Sequence, residues 1–237
     1  VNLTIAKYIA HAGLCSRRRA IDLVKTGCAT INNVVVTEPW KPVTKSDLVR
    51  VNGSIVVANE RTRYILLNKP KDCITTTADE RGRFTVVDLL KKDIPERLYP
   101  IGRLDRNTTG VLLLTNDGGL AHRLMHPSFE VQKTYHVTID RSCSVKDVEA
   151  LRKGVMLEDG VLKCDRVLVV PGTKKELFLT IHSGKYRVIR RAFESLGYTV
   201  LKLNRSLYAG LTTRKMARGE WRDLTQSEVQ RLKQLLN

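Results

Sequence analysis

The chain is poor in aromatic residues and in acids, and it has no long apolar run. Phe, Trp and Tyr make up 5% of its 237 residues, and 24 Asp and Glu stand against 41 Lys and Arg. No stretch approaches the ~20 consecutive apolar residues that span a bilayer, so no membrane partner is expected. The opening VNLTIAKYIAHAG has neither the apolar core nor the small-residue cleavage site of an export signal. Cys15, Cys28, Cys73, Cys143 and Cys164 are scattered without a C-x-x-C pair. That excludes a zinc ribbon and a disulfide framework, and it points to a reduced, cytoplasmic setting. His122 and His126 in HRLMH have helical metal-ligand spacing, but Arg123 stands where a metalloprotease helix carries Glu, so no metal site is expected. Neither G-x-G-x-x-G nor G-x-S-x-G occurs, and GKYRVIRR lacks the upstream Gly of a phosphate-binding P-loop. A nucleotide-cofactor enzyme does not fit.

What is present is positive charge. The formal balance is +17, and such an excess calls for a polyanion, nucleic acid first. Between His182 and Arg222 ten Lys and Arg face two acids, Glu194 and Glu220. Tyr186, Tyr198, Tyr208 and Trp221 are interleaved with them. This is the pattern of a groove that follows phosphates and stacks bases.

At the N-terminus, Ile5, Tyr8, Ile9 and Ala12 recur at helical spacing, and Gly13 suits a C-cap. Ser16 can cap a second helix whose first turn is Arg17, Arg18 and Arg19. Three cations oppose the helix dipole there, which makes sense if helix amides and guanidinium groups together hold a phosphate. CATI-NN-VVV and LVRV-NG-SIVV read as two hairpins. ANERTR, 58–63, reads as a polar linker.

Beyond the linker, YILLNKP reads as a strand, and ITTTADERGRFTVVDLL as a loop feeding a short helix. The centre of the chain is YPIGRLDRNTTGVLLLT, 99–115. Its apolar run Val111–Leu114 predicts a strand buried on both faces. The preceding loop, with breakers Pro100, Gly102 and Asn107, carries Asp105 between Arg103 and Arg106. Asp117 can cap the next helix. EVQKTYHVTID then alternates as a strand whose inward Lys133 hints that this end lines a site. A helix over Ser144–Lys153 follows, then two strands over Leu157–Leu168, a strand–basic loop–helix–strand unit, and a last helix with Thr225 and Glu228 as a capping box.

LTIAKYIAHAGLCSRRRAIDLVKTGCATINNVVVTEP resembles the S4 domain, a small RNA-binding module first known from a small-subunit ribosomal protein. GCATINN departs from that family's more basic strand and Asn-Gly turn. This weakens the RNA contact expected of the strand, though not of the second helix. Three further stretches resemble, in order and spacing, the RsuA-type pseudouridine synthases. They are LLNKPKDCITTTADERGRFTVVDLL, YPIGRLDRNTTGVLLLTNDGGLAHRLMHPSFEVQKTYHV, and IHSGKYRVIRRAFESLGYTVLKLNRSLYAGL with GEWRDL.

That resemblance implies an enzyme that isomerises one uridine of ribosomal RNA to pseudouridine without cofactor or metal. MHPS is closer to the large-subunit (23S) enzymes than to the small-subunit (16S) one. Position by position it implies Asp105 as the essential carboxylate and Tyr135 as the ring that stacks on the uracil. Arg190 would be the basic partner of the carboxylate, with Arg187 as a second candidate. Arg103, Arg106, Lys133, Lys185, Arg187 and Arg191 would join Arg17, Arg18 and Arg19 in meeting RNA. Asp72, where the family commonly has Gly, and Tyr186, where it has Asn, are departures that leave the carboxylate untouched. The competing reading is a non-catalytic ribosome-assembly protein on the same fold. The partner in either case is ribosomal RNA or a pre-ribosomal particle, and a monomer is expected for so asymmetric a substrate.

The fold expected is α+β. A small helix-helix-β-ribbon domain, 1–60, precedes a catalytic domain, 61–237, with a mixed, mostly antiparallel sheet flanked by helices. The active cleft is expected to cross that sheet, with basic residues 185–222 along one wall.

Overall fold

Two asparagine-led turns shape the N-terminal part of the protein. In the computed structural model, which describes residues 3–58 and 61–235, Asn32-Asn33 and Asn52-Gly53 all adopt positive φ, between 50° and 79°. That is the backbone a tight two-residue hairpin requires. The chain divides into two units, Val1–Thr62 and Arg63–Asn237. Of the linker stretch 58–63, Asn59 and Glu60 lie outside the described residues.

In the first unit β1 (Leu3–Thr4) leads into α1 (Ile5–His11) and α2 (Arg17–Lys25). The strands β2 (Ala29–Ile31), β3 (Val34–Val36), β4 (Pro42–Val43), β5 (Val49–Val51) and β6 (Ser54–Ile55) follow. Four of them form a sheet in the order β3-β2-β5-β6, and β1 pairs with β4. Ile5, Ile9, Ala20 and Val24 of the helices pack on Ile31, Val49 and Val51 of the sheet. Ser16 accepts the Arg19 N–H at 3.2 Å as the N-cap of α2, and Arg17, Arg18 and Arg19 are exposed.

The second unit contains β7 (Tyr64–Lys69), β8 (Tyr99–Ile101), β9 (Thr109–Thr115), α3 (Gly118–Met125), β10 (Lys133–Ile139) and α4 (Val145–Lys153). It continues with β11 (Val155–Leu157), β12 (Gly160–Leu162), β13 (Arg166–Val169), β14 (Glu176–Ile181), α5 (Val188–Ser195), β15 (Val200–Tyr208), β16 (Trp221–Asp223) and α6 (Gln226–Gln234). The large sheet runs β13-β14-β10-β15-β9-β7-β16, and β8 also pairs with β9. Every pairing is antiparallel except β15 with β9. This is the mixed, mostly antiparallel α+β arrangement expected.

All seven residues of β9 are buried, because its two faces serve two cores. Leu112 and Leu114 join Ile65, Leu67, Val86, Ile94 and Leu104. Val111 and Leu113 join Leu66, Leu120 and Leu124 of α3, and Leu232 of α6. A third core gathers Val137, Ile139, Leu177 and Leu179 under Leu151 of α4 and Phe193 of α5.

Three local expectations are corrected. Tyr99–Ile101, read as loop because of Pro100, is the strand β8, opposite Leu113–Thr115 of β9. Proline is tolerated on such a short flanking strand. The short helix expected in TVVDLL is a series of turns instead. Asp88 takes the Thr85 N–H and hydroxyl at 2.9 and 2.7 Å, and Pro95 disfavours helix at Ile94. Leu157–Leu168 was expected as two strands. The chain forms the hairpin β11–β12, then breaks at Lys163–Asp165, where the Cys164 and Asp165 N–H groups bond Leu151 and Thr180. β13 then becomes the edge strand of the main sheet.

Gly110 makes the parallel pairing possible. A Cβ there would lie 2.2 Å from the Arg205 carbonyl oxygen, and its φ is +104°. Only glycine lets β15 come this close to β9.

Candidate active site

Asp105 lies in the 102–108 loop between β8 and β9. β7 pairs along one edge of β9. On the other edge β8 pairs with Leu113–Thr115, and β15 pairs with Thr109 and Gly110. The loop therefore emerges where one neighbour of β9 gives way to another.

The loop is gripped from within by a residue that was not singled out in the sequence. Lys69 is fully buried, and its ammonium donates to the carbonyls of Pro70, Asp105, Arg106 and Thr108 at 3.0–3.2 Å. Burial pulls its pKa down to about 8, opposed by the charges of Cys73, Asp105 and Asp72. The four carbonyl dipoles also favour the charged form. The Thr75 hydroxyl donates to Leu104 O at 2.8 Å. The usable signal was YILLNK itself: a cation ending a strand buried on both faces must find acceptors.

The loop's main chain is thus fixed while the Asp105 carboxylate stays 38% exposed. Its charged neighbour is Arg190 of α5, with Nε 3.8 Å from Oδ2. That is an ion-pair distance, too long for a hydrogen bond. Arg190 is itself anchored, donating from Nη1 to Val200 O at 2.9 Å. Arg187, the other candidate partner, lies 3.7 Å from Glu194 instead.

Tyr135 sits on β10 in a row that crosses the sheet: Gly110 of β9, Arg205 of β15, Tyr135, then Leu179 of β14. Two strand spacings, about 10 Å, separate it from the start of β9. The register slips between Thr134 and Tyr135, where Ser206 of β15 is the extra residue, an irregularity of the kind found beside sites. Half-buried Tyr135 packs against the core that includes Leu104, the residue before Asp105.

The cations expected to meet RNA divide into two groups. Arg103 is exposed without an ion pair among the described residues, and so are Arg17, Arg18 and Arg19. The others have protein partners. Arg106 pairs with Asp72 at 2.9 Å. Lys133 is not presented to phosphate, because its half-buried ammonium donates to Val131 O and His182 O at 2.8 and 2.7 Å. Burial lowers its pKa to about 8. Arg191 binds both carboxylate oxygens of Asp159 at 2.9 Å, and the Lys185 ammonium donates to Asp159 O.

The basic, aromatic wall expected over 185–222 is also smaller than its composition suggested. Tyr198 and Tyr208 are buried, with hydroxyls on Asp147 and Leu124 O. Arg205 is buried as well, donating to Val111 O at 2.8 Å and lying 4.5 Å over the Tyr208 ring. Tyr186 is the exposed aromatic of the tract, at 68%.

Comparison with known proteins bears on what such a site does. The RNA pseudouridylate synthase family matches residues 63–195. Over 98% of this chain and 96% of the relative, the sequence is 43% identical to the ribosomal large subunit pseudouridine synthase B of Bacillus subtilis (strain 168). The chain belongs to the RNA pseudouridylate synthase family. A protein of the same name from Vibrio cholerae is 34% identical over 98% of this chain and 74% of its own length. A crystal structure of a pseudouridylate synthase superposes with a TM-score of 0.69 at 28% identity, covering 97% of this chain and 99% of that one.

In a pseudouridine synthase the half-open carboxylate has a specific chemical setting. The reaction breaks the bond between uracil N1 and ribose C1′ and joins C5 to C1′. The proton lost from C5 is balanced by one gained at N1. A fixed carboxylate beside a fixed guanidinium can add to an electrophilic carbon or accept a proton.

Proposed function

We propose that this protein isomerises a uridine of large-subunit ribosomal RNA to pseudouridine, with Asp105 as its essential carboxylate. The observation that carries the proposal is the Asp105 geometry: a main chain locked by Lys69, an accessible carboxylate, and Arg190 at 3.8 Å. The names borne by the Bacillus and Vibrio relatives support the RNA class.

The target uridine has to leave its stack before C5 can approach C1′. In this reading the Tyr135 ring replaces part of the stacking lost, about 1–3 kcal/mol per base. An ionised carboxylate is required whether Asp105 forms a covalent adduct or takes a ribose proton, and the Arg190 guanidinium faces it at 3.8 Å. Arg103, exposed two residues before Asp105 in the same loop, meets backbone phosphate. Residues 1–60 serve as an S4-like RNA-binding domain through Arg17, Arg18 and Arg19, exposed at the start of α2. Residues 61–237 carry the chemistry, and the protein acts as a monomer in the cytoplasm.

The test is to map pseudouridines in ribosomal RNA from cells lacking the protein, complemented with wild type or Asp105→Ala. One large-subunit site is expected to vanish and to return with wild type alone. Its return with Asp105→Ala overturns the role of the carboxylate, and a vanished small-subunit site overturns the choice of substrate.

A further inference from the structure

The tip of the hairpin β11–β12 holds the segment that leads to Arg190. Asp159, in the two-residue turn, accepts both Nη1 and Nη2 of Arg191 at 2.9 Å. The same guanidinium donates from Nε to Tyr186 O at 2.9 Å. The Lys185 ammonium donates to the Asp159 carbonyl and lies 2.9 Å from where a Gly160 Cβ would stand. Glycine at 160 is therefore what admits the lysine. Behind the tip, Val155, Leu157 and Leu162 share a core with Val188, Ile189, Ala192 and Phe193 of α5.

An exposed ion pair usually contributes little, but a bidentate fork joined to a network is the exception. Here one guanidinium ties three chain segments: the hairpin tip, the 182–187 loop and the first turn of α5. Arg187, the residue before the helix, is held at φ +44°, a conformation costly for a side chain of its size unless its surroundings enforce it. Arg190 follows three residues later and stands at the margin of contact with Asp105. A small displacement of α5 would decide whether the pair survives.

We infer that Asp159 is a positioning residue for the reaction. Through Arg191 it fixes the start of α5, and so the placement of Arg190 against Asp105. The same contact keeps Arg191 out of the RNA footprint, because a carboxylate fork occupies the geometry in which a guanidinium would otherwise bind a phosphate. The inference rests on the proposed function for its catalytic part only.

The two consequences have opposite signs, and loss of fold does not mimic that combination. In Asp159→Asn, single-turnover pseudouridine formation on a large-subunit RNA fragment is expected to fall about ten-fold. Affinity for the same RNA is expected to rise about five-fold at 0.1 M salt. The plot of log affinity against log salt should steepen by about 0.7, the share of one added phosphate contact. Asp159→Glu, which restores a carboxylate, should recover much of the rate. Arg191→Gln should lose rate as Asp159→Asn does, but keep the wild-type salt slope.

An unchanged rate in Asp159→Asn overturns the positioning role. Unchanged or weaker RNA binding by that variant overturns the sequestration of Arg191, as does a shallower slope in Arg191→Gln. If the wild-type protein forms no pseudouridine, the proposed function fails by itself. The binding measurements then still decide for or against Asp159.

Discussion

Lys69 holds Asp105 by its backbone. The ammonium of the first donates to the carbonyl oxygen of the second at 3.1 Å, so this buried cation acts on the main chain of the loop. The carboxylate is left to Arg190.

Replacing Lys69 with Met keeps the length of the side chain and removes its charge. Four carbonyls then lose a buried donor, and each unsatisfied polar group costs about 1–3 kcal/mol, partly recovered by relaxation. We expect Lys69→Met to lower unfolding stability by about 3 kcal/mol in urea titration. Pseudouridine formation should fall further than stability alone explains, because the 105–108 loop loses its anchor. A variant as stable and active as wild type would show that the ammonium is dispensable to the loop.

Gly110 offers a sharper steric test. Alanine would place a methyl group 2.2 Å from Arg205 O, where no flexible side chain can yield. Gly110→Ala is expected to lose the parallel β9–β15 pairing or the soluble fold itself, at a cost above about 3 kcal/mol. Gly82 is the control, at φ +65° with no atom within 4 Å of where a methyl group would stand. Alanine there should cost about 1 kcal/mol, from backbone strain alone.

These positions also show which parts of the structure were legible in the sequence. Hairpin turns, helix caps and the buried central strand were legible because short-range chemistry dictates them. Asn52-Gly53 needs only its own φ angles, and Thr225 with Glu228 closes its own box. Asp105 was legible as a lone carboxylate in a loop, and Arg190 only through a family resemblance. The partners of the cations were not legible. Whether Arg191 meets RNA or Asp159 depends on two residues 32 positions apart, and whether Arg205 is surface or core depends on its pairing with Val111. Composition treats Lys133, Arg191 and Arg205 as equal positive charges, but packing distinguishes them. The aromatic residues were over-read for the same reason, since Tyr198 and Tyr208 serve buried hydrogen bonds.

Tyr135 is the ring whose role can be separated from packing. Tyr135→Phe preserves the aromatic face and the contact with Leu104's core, so it should retain affinity and rate close to wild type. Tyr135→Leu preserves burial but not the flat face. It should weaken binding of the target RNA, measured in an Asp105→Ala background, by about 1–3 kcal/mol. Equal behaviour of the Phe and Leu variants would remove stacking from the mechanism.

Glu228 predicts how stability depends on pH. The carboxylate accepts Arg222 Nη1 and Nη2 at 2.7 Å each and the Thr225 N–H at 2.8 Å. The Arg222 hydrogen bonds, chiefly, hold its pKa down at about 2. An unfolded glutamate titrates near 4.3. The folded state therefore binds the proton less tightly than the unfolded state, and the stabilisation is complete above the unfolded value. It is lost as pH falls through that value toward 2. In Glu228→Gln this contribution is absent. The gap in unfolding free energy between wild type and variant should be flat, at about 2 kcal/mol, from pH 7 down to about 5. It should then narrow steadily as the pH is lowered to 3. A gap that stays constant over that range would mean that the β16–α6 clasp is held by packing and not by the ion pair.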